Sequence, residues 1–166
     1  GGFEVNHQYT KSSAYEAGFS QFVHRRVTSS VDVFSILRPF HDLQLAKLFA
    51  RQERYHKYFI SCNRGIRQGQ WCKQCPKCAF TSLALRPFLP ESKLTSIFGE
   101  DLFRRAEIRK QVLDLVSGSV KPWECVGTRD ECALALWIVL QSEPTRDFDE
   151  YPRRRDFERV LEGFDF

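Results

Sequence analysis

Methionine is absent from all 166 residues, and so is any apolar run of about 18 residues, the length that a membrane-spanning helix needs. The missing methionine predicts that the chain does not begin at a natural start codon, and we interpret it as a fragment, a processed product or part of a longer chain. The missing apolar run predicts no membrane span. A signal peptide is also lacking, and we therefore expect a reducing, cytoplasmic compartment.

The composition is typical of a globular protein, because 42% of the residues are hydrophobic and 28% are charged. A chain of this length can bury a core as one domain. The net charge of +4 is mild, although basic residues gather in short runs such as His24–Arg26 and Arg153–Arg155. Such runs indicate either a solvated surface or a site for an acidic ligand such as a nucleotide.

Four of the six cysteines fall within Ser61–Cys78, namely Cys62, Cys72, Cys75 and Cys78. Glycines and polar residues separate them, as in a tight loop. Four thiolates that converge on one point need a cation, and four sulfurs at about 2.3 Å complete the tetrahedral sphere of a structural Zn²⁺ site. The spacing therefore predicts a structural zinc ion bound by these four cysteines.

Other interpretations of the cysteine spacing stay open. Iron–sulfur clusters also use cysteines repeated every three residues, although here the proline follows the middle cysteine and the fourth cysteine lies upstream. Disulfides fit less well, because cysteines two residues apart bridge poorly and no signal peptide indicates an oxidising compartment. Unlinked core cysteines fit least, because the residues between them are polar.

The predicted fold class is α+β, mainly helical with a few short strands, around the zinc-stapled loop. Strands are predicted over residues 31–38 and 55–60, which are rich in apolar, aromatic and β-branched side chains. Caps and apolar periodicity predict helices over residues 43–51, 79–85, 101–116, 128–140 and 154–161. We expect residues 1–143 to form one zinc-containing domain, and residues 144–166 to form a charged tail with one short helix.

Four stretches, in this order, resemble the carboxy-terminal half of the bacterial UDP-N-acetyl-α-D-muramoyl-L-alanyl-L-glutamate epimerase family. They are Val5–Ser12, Phe34–Pro39, Ser61–Asn63 together with Trp71–Cys78, and Lys121–Thr128. The cysteine loop by itself is also similar to that of 7-cyano-7-deazaguanine synthases, which pair it with zinc in an ATP-pyrophosphatase fold.

The epimerase resemblance implies inversion of the terminal L-glutamate of a UDP-linked muramoyl dipeptide, a peptidoglycan precursor, with ATP and Mg²⁺. It implies a larger ATP-pyrophosphatase-like fold, whose remainder lies upstream of Gly1 as a partner. The chain has no Ser-Gly-Gly-Lys-Asp-Ser-like phosphate loop. Either that loop lies upstream, or the chain is a non-catalytic, zinc-stabilised module that binds protein partners.

Two polar loops are the candidate sites for the nucleotide-linked anion, because loops at element ends often carry chemistry. The candidate binding residues are Asn6, His7, Lys11 and Ser12 beside Glu16, then Arg38, and finally Lys121 and Thr128. The candidates for catalysis are Lys121, Glu124 and Cys125, with burial as the alternative for Cys125. We expect both loops to face one cleft, with Arg38 at its edge and the zinc site behind it.

Overall fold

The computed structural model describes residues 9–119, 125–143 and 148–166, and every regular element within these ranges is helical. The α-helices are α1 Ser13–Arg26, α2 Asp42–Ala50, α3 Glu53–His56, α4 Pro76–Leu85, α5 Glu91–Phe98, α6 Ala106–Ser117, α7 Arg129–Ser142 and α8 Arg154–Leu161. Short 3₁₀ helices cover Tyr9–Lys11, Ile66–Gln68 and Leu102–Arg104. The chain divides into two compact units, Gly1–Phe40 and His41–Phe166, called here the first and the second unit.

The predicted α+β class is wrong for the described residues, because neither proposed strand forms. Residues 31–35 have no regular structure and residues 36–39 form turns. Around residues 55–60, the N–H of Tyr58 donates to the carbonyl of Tyr55 at 3.0 Å, and the N–H of Phe59 donates to that of His56 at 3.3 Å. Apolar and β-branched composition favours a strand only where another strand can accept its backbone hydrogen bonds, and here local turns satisfy them instead.

The five predicted helices are present, with boundaries shifted by a few residues. A capping box opens α7: Thr128 Oγ1 accepts the N–H of Glu131 at 3.2 Å, and Glu131 Oε2 accepts the N–H of Thr128 at 3.0 Å. Gly118 ends α6 with a φ of +70°, in the left-handed region that favours glycine. The helix predicted over residues 101–116 is split, because its first residues form a 3₁₀ turn.

Helix α1 was missed, because residues 1–16 were expected to form a mostly irregular polar loop. Its start is marked by Ser12, whose hydroxyl accepts the N–H of Tyr15 at 3.1 Å. Apolar side chains then recur at Tyr15, Phe19, Phe22 and Val23. This spacing of three to four residues is typical of a helix and could have indicated α1.

The core of the second unit is built around α4, which packs against α2, α6 and α7. Its members include Leu83 of α4, Val112 of α6 and Leu136 of α7, all fully buried. Full burial of one such side chain contributes about 1.5–3 kcal/mol. Helix α8 packs against α6 and α7, and Phe157 joins the same core. Within the described ranges, no helix combines the length and the apolar character that crossing a membrane requires.

Two buried arginines tie the later parts of the chain to this core. Arg86 contacts Asp101 at 2.8 Å and Glu143 at 2.9 Å. Arg109 donates to the carbonyls of Phe103, Arg104, Glu150 and Pro152, each at 3.0 Å. Since an unpartnered buried charge is costly, these contacts fix residues 148–152 and the end of α7 against α4 and α6.

Candidate metal centre

The structure brings the four predicted metal ligands together. The Sγ atoms of Cys62, Cys72, Cys75 and Cys78 all lie within 4.8 Å of one another. Two of these separations are 3.7 Å, between Cys72 and Cys78, and 3.5 Å, between Cys75 and Cys78. Zinc–sulfur bonds of about 2.3 Å place the sulfurs of a tetrahedral site about 3.8 Å apart. The arrangement of the four thiols is therefore compatible with a tetrahedral Zn²⁺ ion.

The first ligand is set by the turn that follows it. The backbone N–H groups of Gly65 and Cys72 both donate to Cys62 Sγ at 3.3 Å. A Cβ atom on Gly65 would lie 2.0 Å from the carbonyl oxygen of Gln70, so only glycine fits here. Gly69 then takes a φ of +65° and reverses the chain. The glycines of the loop are thus needed to bring Cys62 and Cys72 to the same point.

The other ligands are set by the start of α4. Cys75 is the N-cap residue, Pro76 is the first helical residue and Cys78 lies in the first turn. The positive end of the helix dipole favours thiolates at this position. Lys73 has a φ of +61°, which turns the chain between Cys72 and Cys75. Its Nζ lies 3.0 Å from Glu100, so an ion pair holds this strained turn.

The pKa values of the four thiols in the cluster are shifted in different directions. A hydrogen bond with the Cys78 thiol lowers the pKa of Cys75 to about 5, and the same interaction raises the pKa of Cys78. Burial raises the pKa of Cys72. Burial acts in the same direction on Cys62, but the N–H groups of Cys72 and Gly65 outweigh it and lower the pKa of Cys62. Four thiolates in this space therefore need a bound cation, which would replace the shared protons.

The cluster is enclosed by the core of the second unit. Cys62, Cys75 and Cys78 have no exposed surface, whereas Cys72 is partly exposed. The Trp71 ring packs against Phe59, with centroids 5.6 Å apart, and against Phe98 at 4.6 Å. Four protein ligands leave no coordination position for a substrate, so this geometry suits a structural ion rather than a catalytic one.

Helix α4 connects the cluster to the segment before α7. Lys77, which lies between Cys75 and Cys78 in the chain, donates through Nζ to the carbonyl of Cys125. One turn later, the Phe80 ring faces Gly127 so closely that a Cβ atom there would lie 2.6 Å from it. The described end of the second predicted loop, residues 125–128, therefore rests on the first turns of α4. This contact was missed because it joins residues 48 positions apart.

Thr128 makes a structural contact, and its role in ligand binding stays a prediction. Its hydroxyl and N–H both donate to Glu131 Oε2, at 2.9 and 3.0 Å. The other carboxylate oxygen of Glu131 accepts the N–H of Leu43 in α2 at 3.3 Å. Burial opposes ionisation of Glu131, but these donors outweigh it and its pKa is lowered. Glu131 thus joins the starts of α2 and α7, a role that local sequence patterns did not reveal.

In the first unit, Arg38 is occupied by its own neighbours. It donates to the carbonyl of Lys11 at 2.7 Å and to Glu16 Oε2 at 2.8 Å. The hydrogen bond from Arg38 is the main cause of a lowered pKa at Glu16. Ser12 serves as the cap of α1. These contacts place Arg38 beside Lys11 and Glu16, and the ligand-binding roles proposed for Lys11, Ser12 and Arg38 stay predictions.

The remaining candidates, Asn6, His7, Lys121 and Glu124, lie outside the described residues. The common cleft that was expected to contain them stays a prediction for the same reason. Cys125 is half-buried, so it is neither an exposed side chain nor a fully buried core residue. Cys132 is buried in α7, as expected of a core residue, and burial raises its pKa to about 12.

Comparison with known proteins gives a consistent family. Residues 58–152 match the family described as MurL C-terminal domain. The chain is 39% identical to the UDP-N-acetyl-alpha-D-muramoyl-L-alanyl-L-glutamate epimerase of Xanthomonas oryzae pv. oryzae, over 98% of this chain and 38% of that protein. It is 33% identical to the epimerase of the same description from a Micromonospora species, over 88% of this chain and 34% of the relative.

A third such epimerase, from Salinispora tropica, is 32% identical over 88% of this chain. The chain thus spans between 33% and 38% of the length of these relatives. No solved structure matches it, and the likeness of its cysteine loop to 7-cyano-7-deazaguanine synthases stays a prediction. Because the matching family covers more than half of the sequence, this chain belongs to the MurL C-terminal domain family.

Proposed function

We propose that this chain is the carboxy-terminal part of an epimerase that inverts the terminal L-glutamate of a UDP-linked muramoyl dipeptide. The observation that carries the proposal is the match over 98% of the chain to a protein described as that epimerase. A nucleotide-linked precursor of this kind is made where nucleotides are plentiful, and we therefore propose a cytoplasmic location.

The reaction sets a clear chemical requirement. The α-proton of a glutamate is weakly acidic while the neighbouring carboxylate is ionised, since a second negative charge would form beside the first. ATP with Mg²⁺ would supply an activated carboxyl group that no longer carries this charge. Inversion then needs one group that removes the proton from one face and a second group that returns a proton to the other.

The candidates for proton transfer in this chain are at and beside residue 125. Cys125 is half-buried, and its main-chain position is fixed because its carbonyl accepts the Lys77 ammonium. Lys121 and Glu124 precede it in the sequence. We propose that the segment from Lys121 to Thr128 contributes to the reaction site, and that α4 supports it through Lys77 and Phe80.

We propose further that a zinc ion bound by the four cysteines maintains this support. The sulfur separations and the four-thiolate donor set fit Zn²⁺, and the ion would sit at the first turn of α4. Its role would be to hold the loop before α4 against the helix, so that Lys77 stays in reach of residue 125. Zinc is thus proposed as a structural element and takes no part in the proton transfers.

The test is a two-part reconstitution. This chain is co-expressed with the portion of the Xanthomonas relative that lies outside the match, and is then given UDP-linked muramoyl-L-alanyl-L-glutamate, ATP and Mg²⁺ in deuterated water. We expect D-glutamate after hydrolysis, with solvent deuterium at its α-carbon, and no exchange when ATP is withheld. A stable two-part complex that catalyses no exchange would exclude the catalytic assignment and favour a non-catalytic binding module.

A further inference from the structure

The first unit exposes most of its large hydrophobic side chains. Among its described residues, Val23 is the one hydrophobic side chain that is buried. By contrast, Phe22 is 55% exposed, Phe34 69% and Ile36 75%. A protein rarely exposes so many large apolar side chains in one compact unit unless some of them bind a partner.

Helix α1 supplies an ordered half of this surface. Tyr15, Phe19 and Phe22 are spaced four and three residues apart, so they lie along one face of the helix. The rings of Tyr15 and Phe19 are stacked, with centroids 5.9 Å apart and an interplanar angle of 5°. Tyr9 meets the Tyr15 ring edge-on at 5.9 Å. These aromatic groups are already held in place, so little side-chain entropy remains to be lost on binding.

The segment after α1 supplies the other half. The N–H of Ser35 donates to Glu16 Oε2 at 2.8 Å, which holds this part of the chain beside the first turns of α1. Phe34 and Ile36 flank Ser35, and Leu37 follows with 53% of its surface exposed. We call Phe19, Phe22, Phe34, Ile36 and Leu37 the docking surface.

The alignments indicate how much polypeptide of a relative lies outside this chain. The C-terminal domain family begins its match at residue 58, after the first unit ends. The Xanthomonas relative nevertheless aligns with 98% of this chain, so the first unit has a counterpart there that lies outside the C-terminal domain. The match covers 38% of that relative, which leaves the larger part of its polypeptide to contact this counterpart.

We infer that the docking surface binds the portion of an epimerase polypeptide that this chain does not match. The inference rests on the proposed function only in taking that polypeptide as the partner. The complementary face is apolar at its centre. We expect that face to carry acidic groups at one edge, where they would meet Arg25 and Arg26 in the last turn of α1. The neighbouring His24 is already paired with Asp32 at 2.8 Å.

The test measures binding without substrate, so it is independent of catalysis. The full 166-residue chain and the unmatched portion of the Xanthomonas relative carry different tags and are co-expressed. They are purified through both tags, and their dissociation is followed by biolayer interferometry. We expect a one-to-one complex. The double variant F22S/F34S should bind at least about tenfold more weakly, because aromatic side chains at the centre of an interface carry much of its affinity.

The matched control is Tyr58→Ser, which removes a side chain of similar exposure, 71%, from the second unit. We expect Y58S to bind like the parent. All variants should keep the parental melting temperature, since none loses a buried side chain. A parent chain that fails to co-purify, or an F22S/F34S variant that binds as tightly as the parent, would overturn the inference. The inference would also be overturned if the parent chain sediments as a dimer and F22S/F34S sediments as a monomer, because the docking surface would then bind a second copy of this chain.

Discussion

The two units use apolar residues and ion pairs in opposite ways. In the second unit, the hydrophobic side chains of α4, α6 and α7 form a core, whereas the described part of the first unit leaves most of its aromatic rings at the surface. Arg38–Glu16 in the first unit and Arg86–Asp101 in the second have the same separation, 2.8 Å. The first pair is 30% and 23% exposed at its side chains, and the second is 2% and 3% exposed.

The comparison shows that the distance between two charged groups does not by itself determine how much their ion pair contributes to stability. An ion pair in contact with water contributes little, whereas removal of one partner from a buried pair leaves a charge without compensation. We therefore expect the stability of this chain to depend on the second unit and its capacity for partners to depend on the first. The variants below test that division, beginning with the largest expected effect.

Cys75→Ser should have the largest effect. It removes a buried sulfur from the cluster, and structural zinc sites couple metal binding to folding with about 10–16 kcal/mol of binding free energy. We expect less than one zinc ion per chain and loss of cooperative thermal unfolding, measured by elemental analysis and calorimetry. Cys125→Ser is the control and should keep the metal. Iron and sulfide in the parent protein would instead support the iron–sulfur alternative.

Arg109→Met should follow, with a loss of at least about 1–3 kcal/mol in the free energy of unfolding, the range for leaving a buried hydrogen-bond acceptor unsatisfied. Four main-chain carbonyls lose their donor in this variant. Urea denaturation measures the change. Arg155→Met, at an exposed position of α8, is the control and should differ little from the parent. Equal stability of the two variants would contradict the assigned role of residues 148–152 in the core.

A matched pair of glycine substitutions compares the units directly. Gly127→Ala places a Cβ atom 2.6 Å from the Phe80 ring and should cost about 1–3 kcal/mol by overpacking. Gly18→Ala, inside α1, meets nothing within 4 Å and should increase helix stability by about 0.5–1 kcal/mol. Thermal melts of both variants check the signs. Destabilisation by Gly18→Ala would show that the face of α1 around residue 18 is already covered.

The smallest effect should be found at Glu16. Its carboxyl pKa is lowered in the folded state, chiefly by the hydrogen bond from Arg38, so its contribution is present above the ordinary glutamate pKa and is lost as the pH falls through the folded value. An NMR titration of the Glu16 carboxyl should give a midpoint below the ordinary range. Arg38→Gln should raise the midpoint toward that range, although the N–H of Ser35 still donates to Glu16, and an unchanged midpoint would contradict the ion pair.

Sequence reasoning succeeded where the chemistry is local. The spacing of Cys72, Cys75 and Cys78 predicted their convergence because a turn followed by a helix start brings such positions together. The capping box at Thr128 was equally readable, since the N-cap and N3 residues interact across one turn. Gly118 ended α6 for a similar reason, because its conformation is set within the turn itself.

It failed where the partner is distant in the chain. Residues 31–38 have the composition of a strand, but a strand also needs a neighbour, and composition says nothing about whether one is available. The Lys77–Cys125 contact and the second role of Glu131 join residues 48 and 88 positions apart. Such contacts depend on how helices pack, which a single sequence does not specify.

The position of Arg109 has a consequence for the order of synthesis. Two of its four carbonyl acceptors, in Phe103 and Arg104, leave the ribosome before it does. The other two, in Glu150 and Pro152, follow 41 and 43 residues later. Until they arrive, burial of this guanidinium would leave it half-satisfied. The core around α6 therefore closes only after residues 150 to 152 have been made, and the growing polypeptide must stay soluble until then.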